Sequence, residues 1–170
     1  MTVAVSYPSP LGEMLLTADT AGLTGLWFVG QKYFPQDLEE NRQKADLPIF
    51  QEVKRWLDIY FSGREPDFMP PLHLTGTPFQ KEVWDILLTI PYGKTLTYGD
   101  IANQLAAKRG LTYMSAQAVG GAVGRNPVSI IVPCHRCVGS KGQLTGYAGG
   151  IDKKKALLAL EKADILVMNK

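Results

Sequence analysis

Between Ser62 and Pro78 the chain carries Gly63, Pro66, Pro70, Pro71 and Pro78. Proline removes a backbone donor and fixes φ, so neither a helix nor an inner strand continues through such a stretch. The chain is therefore expected to fold in two parts, 1–75 and 76–170, and the two parts are written in different periods. Residues 3–7, 11–18 and 22–29 read as short strands, with Asp19-Thr-Ala-Gly22 as a hairpin turn and Pro8 to Pro10 ending the first strand. Residues 35–47 are polar, a loop with some helix. Ile49, Phe50, Val53, Trp56, Leu57, Tyr60 and Phe61 then recur at helical spacing, and the aromatic stripe reads as plain core.

The second part is helical first. Thr77 is a good N-cap with Pro78 at the first helical position, and Phe79, Val83, Ile86, Leu87 and Ile90 line one face. A second helix follows from Thr97 and a third, 116–124, can be capped by Ser115. Two short helices after a longer packing helix form a helix-turn-helix pattern. The third helix has almost no bulk: Ala116, Ala118, Gly120, Gly121, Ala122 and Gly124. Glycine costs a helix about 1 kcal/mol relative to alanine, so either tight helix packing or close approach to a DNA groove has to account for it. Residues 129–132 read as a β-branched strand, residues 138–147 as a hairpin or wing, and Asp152 as the cap of a last helix.

Charge separates the parts as well. Residues 1–75 hold six Lys/Arg against ten Asp/Glu, −4, and residues 76–170 hold twelve against six, +6. A basic C-terminal part fits a polyanion partner. A composition of 45% hydrophobic and 20% charged residues is globular. No apolar run spans a membrane and the N-terminus does not read as a secretory signal. Two cysteines make no disulfide scaffold and fit a reducing, cytoplasmic setting.

Chemistry concentrates in Asn126-Pro-Val-Ser-Ile-Ile-Val-Pro-Cys134-His135-Arg136. A cysteine at a turn, with backbone N–H groups and basic neighbours, has the surroundings of a nucleophile. Two other readings stand beside it: Cys134-His-Arg-Cys137 as a redox dithiol, and Cys134 as an inert buried thiol. A zinc site lacks ligands, since His73 is the only other histidine.

Pro133-Cys134-His135-Arg136, with Gly124-Arg-Asn-Pro127 before it and Gly146-Tyr-Ala-Gly-Gly150 after it, closely resembles the O6-alkylguanine-DNA alkyltransferases. Pro91-Tyr-Gly-Lys-Thr-Leu-Thr-Tyr98, Ala118-Val-Gly-Gly121 and Leu157-Leu158 leading to Glu161 match the same family, so the motifs cover most of residues 77–161. The resemblance implies an α+β protein with a small ribonuclease-H-like domain followed by a winged helix-turn-helix DNA-binding domain. It implies a methylated-DNA–[protein]-cysteine S-methyltransferase that moves the alkyl group of O6-alkylguanine, and by extension O4-alkylthymine, irreversibly onto Cys134. In that reading His135 takes the thiol proton through a water, Glu161 orients His135, Asn126 braces the turn and Tyr98 helps to rotate the nucleotide and protonate the departing base. Gln117, Ala118, Gly121, Arg125 and Arg136 would meet DNA, and Cys137, Tyr147 and Ala148 would hold the flipped base. The implied partner is duplex DNA carrying the lesion, met by a monomer without obligate protein partner, cofactor or metal. A non-catalytic lesion-binding protein is the alternative, and Cys134 is what such relatives lack.

Four positions depart from the family pattern. Gln117 stands where an intercalating arginine is usual, with Arg125 or Arg109 as possible helpers. The connection 106–112 is longer than usual and brings Lys108 and Arg109 within reach of phosphate. Leu160 replaces a histidine before Glu161. Cys137 replaces an aliphatic residue, so that oxidation could pair it with Cys134.

Overall fold

The computed structural model describes residues 3–35, 47–144 and 146–162. These divide into two compact units: Met1–Thr75 with Pro127–Ser129, and Gly76–Asn126 with Ile130–Lys170. Most of the stretch expected as a polar loop, 36–46, lies outside the described residues.

Unit 1 is an antiparallel sheet of β1 (Val3–Ser9), β2 (Gly12–Asp19) and β3 (Gly22–Phe28) in that order, with helix α1 (Pro48–Phe61). β2 is the middle strand, and Met14, Leu15, Leu16, Thr17 and Ala18 are buried in succession, on both faces. The first strand runs on through Pro8, past the expected stop. Among the described residues β1 pairs with β2 alone, and an edge strand tolerates the missing proline donor. Asp19 and Gly22 pair across the expected turn, and Asp19 Oδ1 accepts from the N–H groups of Ala21 and Gly22. The aromatic stripe is core, as its spacing predicts: Phe50, Val53, Trp56, Leu57 and Tyr60 are buried, with Trp56 stacked on Tyr60 at 5.3 Å. Tyr7 donates to Asp58 Oδ1 at 2.6 Å and ties β1 to α1. The free edge of β3 takes single parallel bridges from Leu72 and Val128. At Gly22 a Cβ would lie 2.6 Å from the Pro71 carbonyl oxygen, so only glycine lets that segment come in.

Unit 2 is built on helices α2 (Pro78–Leu87), α3 (Tyr98–Lys108), α4 (Ala116–Gly124) and α5 (Ile151–Leu160). α2 and α3 open on full capping boxes, Thr77 with Gln80 and Thr97 with Asp100, and Ser115 caps α4. Trp84 of α2 donates its indole N–H to the Ala122 carbonyl at 2.9 Å in the interior, fixing α2 against α4. Strands β4 (Leu96–Thr97) and β5 (Cys137–Val138) form a two-residue parallel ladder.

Three expectations give way here. Residues 129–132 form turns after the Val128 bridge rather than a strand, because Ile130 takes φ 70° and reverses the chain. No hairpin forms over the described residues of 138–147. Instead a 3₁₀ turn, Ser140–Gly142, is closed by the Gly139 N–H on the Gln143 carbonyl. The last helix is entered through Gly150 at φ 102°, and Asp152 lies inside its first turn, where a negative charge favours the helix dipole.

Candidate active site

The turn that carries Cys134 is built by its neighbours. Pro133, at φ −82° and ψ 65°, sits at the centre of an inverse γ-turn closed by the Cys134 N–H on the Val132 carbonyl at 2.8 Å. Cys134–Arg136 then wind one 3₁₀ turn and enter β5, whose pairing with β4 sets this turn beside the start of α3. Asn126 donates from Nδ2 to the Val132 carbonyl at 2.8 Å. Ile130, a β-branched residue in the left-handed region, is a strained position of order 1–3 kcal/mol, and its side chain is buried.

Behind the turn lies a buried charged cluster. Glu161, the residue after α5, receives the Gly93 N–H at 3.0 Å and Arg136 Nε at 2.8 Å on Oε1. It receives Arg136 Nη2 at 3.2 Å and His135 Nε2 at 2.6 Å on Oε2. Burial works against its charge, but the His135 and Arg136 hydrogen bonds and charges outweigh it and hold the carboxyl down at about 2. An ionised Glu161 accepts, so His135 carries its proton on Nε2, which leaves Nδ1 as the basic nitrogen. Burial keeps the imidazole below its ordinary value, with Arg136 and Lys154 adding to the effect against Glu161. Burial likewise pushes the Cys134 thiol up. The Asn126 hydrogen bond, the Lys154 charge and the backbone N–H groups of Cys134 and His135 pull the other way. At neutral pH the site thus holds a protonated thiol and a neutral histidine.

Lys154 is fully buried and donates to the Cys137 carbonyl at 2.6 Å, with its ammonium 6.0 Å from the Tyr98 ring centre. Burial lowers its pKa, and the two thiols counter that. The sequence reading missed this residue. Lys153-Lys154-Lys155 looks like a solvated run, yet Lys154 stands three and four residues before Leu157 and Leu158, on the face they bury. The same register was the available signal.

Several expected site residues come together: Cys134, His135, Asn126 and Glu161 through the contacts above, and Tyr98 at the start of α3. Arg136 departs from the expected DNA contact. Its guanidinium is spent inside, on Glu161 and on the Ile90 carbonyl at 2.8 Å. Arg109, expected near phosphate, is held by Glu82 at 2.6 Å and lies over the Phe79 ring. Cys137 is buried and its thiol is pushed up to about 12, mainly by burial, which makes it a poor partner for a dithiol reaction. Tyr147 and Ala148 are half-buried on the segment leading into α5, and Arg125 is exposed at the end of α4.

The small-residue helix now explains itself. Val119, Ala122 and Val123 face the core, and Ala116, Gln117, Ala118 and Gly121 are exposed. A Cβ added at Gly121 or Gly124 would meet nothing within 4 Å, so packing inside the protein does not require those glycines. A cavity of about 520 Å³ opens beside this face, lined by Thr97, Tyr98, Gly99, Ala116, Gln117, Gly120 and Ser140. Among the described residues no three His, Cys, Asp or Glu side chains gather as a metal site would need.

Comparison with known proteins agrees with this fold. The family model "6-O-methylguanine DNA methyltransferase, ribonuclease-like domain" matches residues 3–74, and the model of that family's DNA binding domain matches residues 78–163. A methylated-DNA–protein-cysteine methyltransferase of Mycobacterium leprae is 46% identical, over 95% of this chain and 93% of that protein. One of Haemophilus influenzae is 40% identical, over 92% and 84%. The crystal structure of Mycobacterium tuberculosis O6-methylguanine methyltransferase superposes with a TM-score of 0.81 at 44% identity, covering 95% and 93% of the two chains. The Mycobacterium tuberculosis OGT solved in complex with DNA gives 0.78 at 42%, covering 95% and 92%.

Proposed function

The chain belongs to the 6-O-methylguanine DNA methyltransferase family, and on that premise we propose that it repairs O6-alkylguanine in duplex DNA by direct reversal, with Cys134 as the alkyl acceptor. The observation that carries the assignment of residues is the buried Cys134 turn backed by His135 and Glu161, 2.6 Å apart. His135 Nδ1, held basic by the Nε2–Glu161 bond, takes the Cys134 proton through a bridging water. The thiolate sulfur then attacks the alkyl carbon, the carbon–O6 bond breaks, and the electron pair leaves with guanine. Tyr98 gives its phenol proton to the departing base. The thioether that forms is stable, so each molecule reacts once.

Asn126 steadies the turn through Val132 and hydrogen-bonds the sulfur. Lys154 supplies positive potential where the thiolate develops. Because Cys134 is only 5% exposed, the lesion has to leave the base stack and enter the protein, at an unstacking cost of a few kcal/mol. The exposed small face of α4, with Ala118 and Gly121, lets the helix backbone come close to the minor groove. Gln117 fills the vacated stack, and Arg125 meets phosphate. Tyr147 and Ala148 border the flipped base beside Cys137. Residues 1–75 act as the support domain and 76–170 carry the chemistry. The protein works as a cytoplasmic monomer on lesion-bearing duplex DNA.

The test is to mix excess protein with duplex DNA bearing one labelled O6-methylguanine and to map the label by peptide mass spectrometry. At most one methyl per protein is expected, on the Cys134 peptide, and none in Cys134→Ala. Tight lesion binding with the methyl still on DNA would replace this reading with a recognition protein.

A further inference from the structure

The connection between α3 and α4 is fixed at both ends and presents apolar side chains to solvent. α3 closes on a Schellman motif: the Gly110 N–H reaches the Ala107 carbonyl at 3.2 Å and the Leu111 N–H reaches that of Ala106 at 2.8 Å, with Gly110 at φ 68°. Arg109 pins the same corner to α2, with two guanidinium bonds to Glu82 at 2.6 and 3.4 Å over the Phe79 ring. The other end is capped by Ser115, which accepts the Ala118 N–H. Between them Leu111 is 50% exposed and Tyr113 is 75% exposed, the greatest exposure of any large apolar side chain among the described residues. In a Schellman motif the residue at the Leu111 position ordinarily covers the helix end; here half of it stays in water.

We propose that this connection is a second DNA-contacting element, in which Tyr113 and Leu111 pack as an apolar wedge against the sugars and base edges of the duplex beside the lesion. The inference rests on the reading of the α4 face as the DNA surface, and three observations direct it there. Tyr113 lies two residues before the α4 cap, and Ala116 and Gln117, the next residues on, already line the cavity beside that face. Lys108 is exposed in the last turn of α3, and Glu82, the acid paired with Arg109, is neutralised by it, so the connection presents apolar side chains beside a positive one. Gln117, exposed on α4 and bordering the cavity, carries no charge, so some of the grip on a distorted duplex has to come from elsewhere. Minor-groove proteins commonly set apolar side chains into a base step for that purpose.

The experiment measures affinity of the whole protein for a duplex carrying one O6-methylguanine, across a salt series. Tyr113→Ser is expected to weaken binding about tenfold, in the range that losing one aromatic stacking contact costs, with the slope against log salt unchanged, since no phosphate contact is lost. Tyr113→Phe restores affinity, and Lys108→Gln lowers the slope by about one. Tyr33→Ser, an exposed tyrosine of unit 1, serves as control. Equal affinity of Tyr113→Ser and the unaltered protein, while the latter still transfers methyl to Cys134, would overturn this inference alone. Failure of the unaltered protein to bind the duplex at all would overturn it together with the proposed function.

Discussion

The two units solve the problem of an interior in opposite ways. Among the described residues, unit 1 buries Thr17 and Ser129 as its polar side chains apart from two tyrosines, and the rest of its core is apolar. Unit 2 buries Asn126, His135, Arg136, Lys154 and Glu161. A core like the first is the cheaper one to build: an apolar replacement of a buried ion pair is often neutral or stabilising, whereas removing one partner is costly. On the proposed function, the charges of unit 2 are there for what they do to Cys134 and not as the simplest way to fill an interior. One interior holds a sheet together; the other, on that reading, holds a proton ready to move.

The hardest way to break this contrast is to remove Glu161's charge. Glu161→Gln leaves the buried Arg136 with neutral acceptors only, the glutamine oxygen and the Ile90 carbonyl, and frees His135 from its tautomer. We expect it to cost about 3–5 kcal/mol in chemical denaturation and to abolish rapid methyl transfer. In unit 1, Thr17→Val removes only the 2.8 Å bond to Thr24 and should cost at most about 1 kcal/mol. Similar losses for the two would erase the distinction.

Acid should find the same difference. Glu161 titrates at about 2 in the folded chain, against 4.5 as its ordinary value, and His135 is held below 6.5. In both cases the unfolded chain binds the proton first, so the stability these groups contribute is complete above about pH 6.5. It is lost as pH falls, first through His135 and then, between 4.5 and 2, through Glu161, whose share is about 3 kcal/mol. Tryptophan fluorescence can follow this, because Trp84 reports unit 2 and Trp56 unit 1. In single-tryptophan variants the Trp84 signal should change at the higher pH. Coincident transitions would mean that the buried cluster does not set the acid limit.

Lys154→Met separates folding from chemistry. Methionine has similar length, removes the desolvated ammonium and leaves the Cys137 carbonyl without its donor, and these two effects offset each other. Stability should move by no more than about 2 kcal/mol in either direction. Transfer should slow about tenfold, the effect of one pKa unit on the Cys134 thiol. A large loss of stability with an unchanged rate would make Lys154 a structural residue.

How much of this was legible in sequence depends on the range of the interactions. The helix starts at Thr77 and Ser115 were readable because a cap is settled by residues three apart. So was the hairpin at Asp19 to Gly22, whose side chain bonds its own turn. The Cys134-His-Arg segment stood out by composition and by resemblance. What escaped was set from a distance: the Val128 bridge to β3, the reversal at Ile130, and the inward turn of Arg136, which depends on meeting Glu161 across 25 residues of chain. The hairpin expected at 138–147 is replaced, among the described residues, by Ser140-Lys-Gly142, which satisfies its own backbone in a 3₁₀ turn. Lys154 escaped because a run of three lysines reads as solvated by composition, although its register with Leu157 and Leu158 puts it on the face they bury.

The smallest effect expected lies outside both interiors, at Gln117. The side chain is exposed on α4 and borders the cavity, so a substitution there perturbs no packing. A glutamine entering the base stack offers an amide to the orphaned base, while arginine adds a fixed positive charge and a planar face that stacks. Gln117→Arg should therefore raise the transfer rate on lesion-bearing duplex about three- to tenfold at low salt and steepen the salt dependence by about one counterion. Its denaturation midpoint should match the unaltered protein's, as expected at a position that touches neither interior. The control is the rate on free O6-methylguanine, where there is no stack to enter. An equal gain with the free base would mean that residue 117 shapes the pocket itself, and the division between a charged interior for chemistry and an exposed face for DNA would have to be redrawn.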